Sequence, residues 1–190
     1  MSEHFIEDET FENKAYSKYE FETGNYELCV FKNCDFSNAD ISNTRFIECE
    51  FHDCNLSSTI VYDTGFQDVL FKDCKMLGLD FEKSSDFAFE VTLENCQLNH
   101  ASFHKKKLPK TIFKTCKMNG VDFTAAQLKG SVFDGCDLLN ATFLNTNLED
   151  VDFRTAIKFN IDPERNIIKG ALFSLSSVAG LLAKYQIKIE

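Results

Sequence analysis

Bulky apolar residues recur at every fifth position along most of the chain. One frame runs through Phe11, Tyr16, Phe21, Tyr26, Phe31, Phe36, Ile41, Phe46, Phe51, Leu56, Val61, Phe66, Phe71, Met76 and Phe81. The series resumes, two residues out of step, at Leu93, Leu98, Phe103, Leu108, Phe113, Met118, Phe123, Leu128, Phe133, Leu138, Phe143, Leu148 and Phe153. A period of five fits neither a helix at about 3.6 nor a strand at about 2. Two positions before each bulky residue stands a smaller one, such as Cys34, Ala39, Thr44, Cys49, Cys54, Ala101, Thr111, Cys116 and Ala141. Each five-residue unit therefore turns one large and one small side chain inward and three outward.

The cysteines set how many units close one coil. Cys34, Cys54 and Cys74 are spaced by 20, and so are Cys96, Cys116 and Cys136. The gap of 22 between the two sets matches the two-residue frame slip. Every fourth bulky position then reads Phe11, Phe31, Phe51, Phe71, Leu93, Phe113, Phe133, Phe153, and a second column reads Phe21, Ile41, Val61, Phe81, Phe103, Phe123, Phe143. Like residues stack on like when parallel layers lie in register. The pattern predicts an all-β solenoid with four short sides per coil, filled by side-chain ladders. About eight coils at ~4.8 Å per layer make a rod roughly 40 Å long, with unpaired edges only at its ends.

The units Cys34-Asp35-Phe36-Ser37-Asn38, Ala39-Asp40-Ile41-Ser42-Asn43 and Cys136-Asp137-Leu138-Leu139-Asn140 resemble the A-(D/N)-L-x-x unit of pentapeptide-repeat proteins. The resemblance covers residues 11–157 and implies a right-handed quadrilateral β-helix. Irregular small positions (Glu9, Lys14, Tyr19) make residues 1–20 an N-terminal cap, because solenoid ends need a polar cover. Residues 21–157 are the repeat, with the slip at 82–92 bulging from one corner. Residues 158–190 form a C-terminal cap or dimerisation segment. There Asn160-Ile161-Asp162-Pro163 reads as a turn, and Ser176 or Ser177 opens a short helix. Its apolar face is Val178, Leu181, Leu182 and Tyr185, and Ile187 and Ile189 alternate as a last strand. This tail is similar to those of the gyrase-protecting subgroup, the quinolone-resistance and microcin-immunity proteins. The resemblance implies a head-to-head homodimer through the tail.

Composition narrows the function. Among 190 residues are 20 Phe, no Trp and 8 Cys, and the net charge is −10. An acidic chain is a poor non-specific binder of nucleic acid or membrane surfaces. No run of about 18 apolar residues is present, so no membrane span is expected. The opening MSEHFIEDET lacks an apolar signal core, and cysteines without a secretion signal point to reduced thiols and a cytoplasmic location. The charge is uneven: residues 1–100 carry 21 acids and 7 bases, and residues 101–190 carry 9 acids and 13 bases.

Catalytic and metal chemistry find little support in these residues. The cysteines share the small inward site, where Cys acts as a small hydrophobe rather than as a zinc ligand. His100 and His104 have a helix-type spacing but lie in the repeat frame, so both project outward. No nucleophile motif, phosphate loop or pocket is apparent, so neither an enzyme nor a cofactor is expected. The outward acids are more informative. The side bearing Asp40, Asp63, Asp80 and Asp122 is the most one-signed. Carboxylates at layer spacing imitate a line of phosphates, and the family resemblance implies a partner that handles DNA. The expected function is a non-catalytic DNA mimic that binds DNA gyrase or topoisomerase IV. A scaffold rod without mimicry, its acidic side merely solvated, is the alternative. A basic cluster, Lys105, Lys106, Lys107 and Lys110, wraps a mid-rod corner, and Val30, Leu70, Ile112 and Val132 form an outward apolar stripe.

Overall fold

In the computed structural model the described residues are 4–17 and 20–188. The expectations for Tyr19 and Ile189 lie outside them. The regular elements are eleven short strands: β1 (Phe5–Glu7), β2 (Thr10–Glu12), β3 (Asn25–Glu27), β4 (Val30–Lys32), β5 (Arg45–Ile47), β6 (Glu50–His52), β7 (Gly65–Gln67), β8 (Val69–Lys72), β9 (Val91–Glu94), β10 (Ile112–Lys114) and β11 (Val132–Asp134). Every pairing between them is parallel. Strands β1-β3-β5-β7 form one side, and the seven-stranded order β11-β10-β9-β8-β6-β4-β2 forms another. Two further sides are held by single bridges, such as Asp35↔Asn55↔Lys75↔Gln97 and Asp80↔Ser102↔Asp122↔Thr142. Partners are 20 residues apart, or 22 across the slip, where Leu70 pairs with Thr92 and Phe71 with Leu93.

The backbone explains the period of five. The second residue after most of the bulky ones takes a left-handed conformation, for example Asn33 (φ 50°), Asn38 (φ 57°), Asn43 (φ 59°), Asp73 (φ 57°) and Asn140 (φ 57°). That residue turns the corner. Asn, Asp and Gly are suited to it because they enter this region at least cost. Before the corner, an outward Asp or Asn accepts the amide two residues on: Asp35 from Ser37 at 3.0 Å, Asn55 from Ser57 at 3.2 Å and Asp137 from Leu139 at 3.1 Å.

The interior is filled as the spacing implies. Phe31 and Phe51 stack at 4.7 Å between centroids, Phe113 and Phe133 at 4.7 Å, and Phe103 and Phe123 at 5.3 Å. Neighbouring columns meet edge to face, as Phe113 meets Phe123 at 5.9 Å. The small site does more than save space. Its donor reaches the carbonyl of the bulky residue one layer away: Cys54 Sγ to Phe31 at 3.4 Å, Cys74 Sγ to Phe51 at 3.3 Å, and Thr59 Oγ1 to Phe36 at 2.9 Å. A Cys, Thr or Ser here can thus supply a donor to a buried carbonyl, although the buried Thr44 hydroxyl finds no partner. All eight cysteines are buried and unbridged. Burial pushes the Cys29 thiol up, and it drives Cys49 up to about 12.

Three features depart from the sequence reading. About six turns carry continuous sheet, since seven strands define six layer steps, against the eight coils expected. The side-chain period runs further than the regular strands, because at the end the backbone pairs only by bridges such as Asp152↔Leu172. Within the expected cap at residues 1–20, β1 pairs with β3 and β2 with β4, so Phe5–Glu7 and Thr10–Glu12 belong to the first, partly exposed layer of the coil. The expected C-terminal helix is instead two 3-10 turns, Val178–Leu181 and Ala183–Tyr185. Their bonds span three residues (Leu182 to Ala179 and Tyr185 to Leu182, each 3.0 Å), and Gln186 closes them at φ 52°. Gly180 within the first turn disfavours an α-helix.

Two outcomes test the inward and outward assignment. Phe51→Ala should cost about 3–5 kcal/mol in urea unfolding, whereas Lys75→Ala, at an exposed position away from the corner, should stay within about 0.5 kcal/mol. Equal costs would contradict the packing. A thiol reagent at neutral pH should leave all eight cysteines unlabelled in the native protein and label all eight after denaturation, because buried thiols are out of the reagent's reach. Rapid labelling of the native protein would contradict the ladder.

Candidate functional site

The acidic side is a by-product of corner chemistry as well as a charged surface. Asp80 and Asp122 share one outward column with Ser102 and Thr142, and Asp40 pairs with Ile60 on the same side. Asp40 accepts the Ser42 hydroxyl at 2.5 Å and its amide at 3.0 Å, and these bonds hold its carboxyl below the usual range. Asp80 accepts the Glu82 amide at 3.1 Å, and Asp122 accepts that of Thr124 at 2.8 Å. Asp122 also faces the His104 ring at 3.7 Å. These bonds brace the turn, and Asp40 is exposed while Asp80 and Asp122 are half-buried.

Asp63 does not join this line. It is itself a corner residue (φ 51°), and its amide bonds to Lys83 across the layers at 2.9 Å. Its side chain turns toward the next side, where it lines an open groove of about 490 Å³ together with Arg45, Gly65, Ser85 and Phe87. The acidic column is also interrupted by an apolar spot: Ile60 is 52 % exposed and Tyr62 64 %.

The slip builds the bulge expected at 82–92, but by an unexpected device. Lys106 occupies a small inward site whose counterparts in the column are Thr64, Ala126 and Thr146. It is 1 % exposed. Its ammonium donates to the carbonyls of Ser84 at 2.7 Å and Ser85 at 3.1 Å and to Asp86 Oδ1 at 2.8 Å, and it lies 4.6 Å from the centre of the Phe89 ring. Two extra residues push these carbonyls out of the normal ladder, and the ammonium replaces the missing donors. Lys106 therefore leaves the basic cluster, in which Lys105, Lys107 and Lys110 remain exposed. Phe89 packs edge to face on Phe81 at 5.9 Å, while Phe87 is 73 % exposed at the tip. Neither Lys106 nor Phe87 was singled out by the period. The signal for Lys106 was a charge at a position where every other layer holds a small residue.

The remaining expected features are weaker on the surface than in the sequence. In the apolar stripe only Ile112, at 45 %, is well exposed, and the column is broken by Glu50, Thr92 and Asp152. His100 and His104 lie on the outside, and among the described residues no cluster of His, Cys, Asp and Glu is placed to hold a metal. No helix among them is long and apolar enough to cross a membrane.

The tail divides its apolar face. Leu181 packs against the end of the rod's core, while Val178, Leu182 and Tyr185 stay exposed at 38 %, 37 % and 55 %. Leu175 beside them is 97 % exposed. The tail is bolted to the rod by Lys184, which bridges Asp162 at 2.7 Å and Glu164 at 2.6 Å, and by the Ile161 amide to Gly180 at 3.2 Å. A Cβ at Gly180 would collide with the carbonyl and ring of Phe159.

Comparison with known proteins agrees with this geometry. No curated protein sequence matches the chain. Among solved structures, QnrB1, a plasmid-mediated fluoroquinolone resistance protein, is similar in two trypsin-treated variants. One variant aligns with TM-score 0.64 at 20 % identity, over 99 % of this chain and 98 % of its own. The second gives TM-score 0.64 at 20 % identity, over 99 % of each chain. These likenesses show a shared fold. The model of the pentapeptide repeat region matches residues 24–103, 85–158 and 106–181. Repeated units over most of the length, stacked in parallel layers about a filled core, place this chain in the pentapeptide-repeat family.

Proposed function

We propose that the protein is a non-catalytic DNA mimic that binds a type II topoisomerase, DNA gyrase or topoisomerase IV, through its acidic side. The observation that carries this reading is the outward column holding Asp40, Asp80 and Asp122, of which the first two lie in the half of the chain with 21 acids and 7 bases. Asp63 extends the negative surface around the corner. The likeness to QnrB1, a fluoroquinolone resistance protein, supports this partner class. Fixed carboxylates lose little freedom on binding, and their field steers a basic partner toward them. Small-site donors such as Cys54, Thr59 and Ser131 are committed to buried carbonyls, which supports a binding rather than a catalytic role.

We read the exposed part of the tail as a homodimer contact. Val178, Leu182, Tyr185 and Leu175 cluster at one end of the rod, while Leu181 caps its own core. Joining two tails sets the acid-rich halves at the outer ends of the dimer. A scaffold rod is the second reading, and the exposed Ile60 and Tyr62 within the acidic side favour it over pure phosphate imitation.

Purified protein should inhibit or protect gyrase in a supercoiling assay at low salt, with the effect fading as salt rises, because exposed charges are screened beyond about 8–10 Å. Replacing Asp40, Asp63, Asp80 and Asp122 together by Lys should abolish that effect while the coil keeps its circular dichroism. An inactive wild type with both gyrase and topoisomerase IV would leave the scaffold. For the tail, light scattering at tens of micromolar should give twice the chain mass, and Leu182→Asp combined with Tyr185→Ser should return the single-chain mass. A monomeric wild type would reduce the tail to a cap.

A further inference from the structure

We infer that the bulge at the frame slip is a recognition element that presents Phe87 to an apolar recess in the basic surface of the partner. The inference rests on the topoisomerase reading above and specifies how the acidic side is read. An acid-only surface binds any basic groove, so selection of one partner needs a contact of another kind.

Three observations meet at this corner. The first is display: Phe87 is 73 % exposed, although the same bulge buries its second aromatic, Phe89, against Phe66 and Phe81. A frame slip alone requires a buried filler, which Phe89 supplies, and does not require a phenyl ring in water. The second is rigidity. A nearly fully buried ammonium holds the loop by two carbonyls and the Asp86 carboxylate. Burying a charge is costly unless it is fully paired, and here its bonds all go to the bulge. An aromatic on a fixed loop binds with little ordering cost, which is the usual character of an interface anchor.

The third is setting. Phe87 and Asp63 line the same groove, and on the other side of the Asp63 corner Ile60 and Tyr62 line a shallow recess with Asp80 and Lys83. Three exposed apolar side chains thus flank the corner at which the acidic side ends. Asp63 and Asp80 lie beside them with Arg45 and Lys83, while Glu82 pairs with Lys83 and Asp86 with the buried Lys106. The complementary partner surface is basic around an apolar recess that takes the phenyl ring.

The test measures the affinity of intact gyrase for wild type, Phe87→Ser and Phe87→Leu across a salt series. Phe87→Ser should bind about tenfold or more weakly at every salt concentration, with the slope of log affinity against log salt unchanged, since no charge is lost. Phe87→Leu should stay within about threefold of wild type. Lys106→Met, which keeps the ring but frees the bulge, should also weaken binding at all salt concentrations. If that variant unfolds, the serine variant decides alone, because Phe87 lies outside the core. Wild-type binding retained within about twofold by Phe87→Ser overturns the inference and leaves the acidic-side reading standing. A wild type that does not bind overturns both.

Discussion

The structure depends on left-handed corner residues that close most of its five-residue sides. Without them the chain could not turn back over itself after 20 residues, and no ladder would form. The conformation costs roughly 1–2 kcal/mol for an ordinary residue, and less for Asn, Asp and Gly. The chain nonetheless places Leu28, Glu48, Lys105 and Thr115 there, at φ between 50° and 58°. The strain persists because each layer lies on the next in register. Stacked phenyl rings such as Phe31 on Phe51 fix the register from inside, and inter-layer amide bonds fix it from the backbone. Corners and ladders are therefore one cooperative device, and loss of a ladder ring should loosen more than its own layer.

The same constraint shapes the surface. The outward position before each bulky residue favours Asp or Asn because their side chains brace the coming turn. An acidic column is thus partly dictated by the coil, and the functional surface lies in what departs from it: Ile60 and Tyr62 among the acids, Asp63 facing around the corner, and Phe87 standing out of the bulge. A solenoid with a uniform surface would be a featureless rod. The frame slip is where this one acquires a groove and a tip.

The five-residue period and the cysteine spacing made the layers, the four sides and the inward residues legible in the chain alone, because both are set by strict repetition. What was not legible depends on single contacts. From the chain alone Lys106 belongs with the basic cluster, and only the displaced carbonyls of Ser84 and Ser85 show why a lysine lies inward there. Asp63 looked equivalent to Asp40, although the corner conformation turns it to another side. Val178, Leu181, Leu182 and Tyr185 share a face at helical spacing, but 3-10 turns divide them between the rod's end and solvent. The ladder pattern also outruns the regular strands, so the count of sheeted coils fell below the count of repeats.

The central claim is that one register runs unbroken through the bulge. Native-state amide hydrogen exchange tests it directly. The Gln97 amide bonds to the Cys74 carbonyl at 2.9 Å and the Ser102 amide to that of Leu79 at 3.0 Å, both across the slip. The Asp137 amide makes the equivalent bond to Cys116 at 3.0 Å within the regular coil. The account predicts that all three exchange with similar protection, through the same cooperative opening. Exchange at Gln97 and Ser102 about a hundredfold faster than at Asp137 would show two coils joined by a loose hinge and would contradict it.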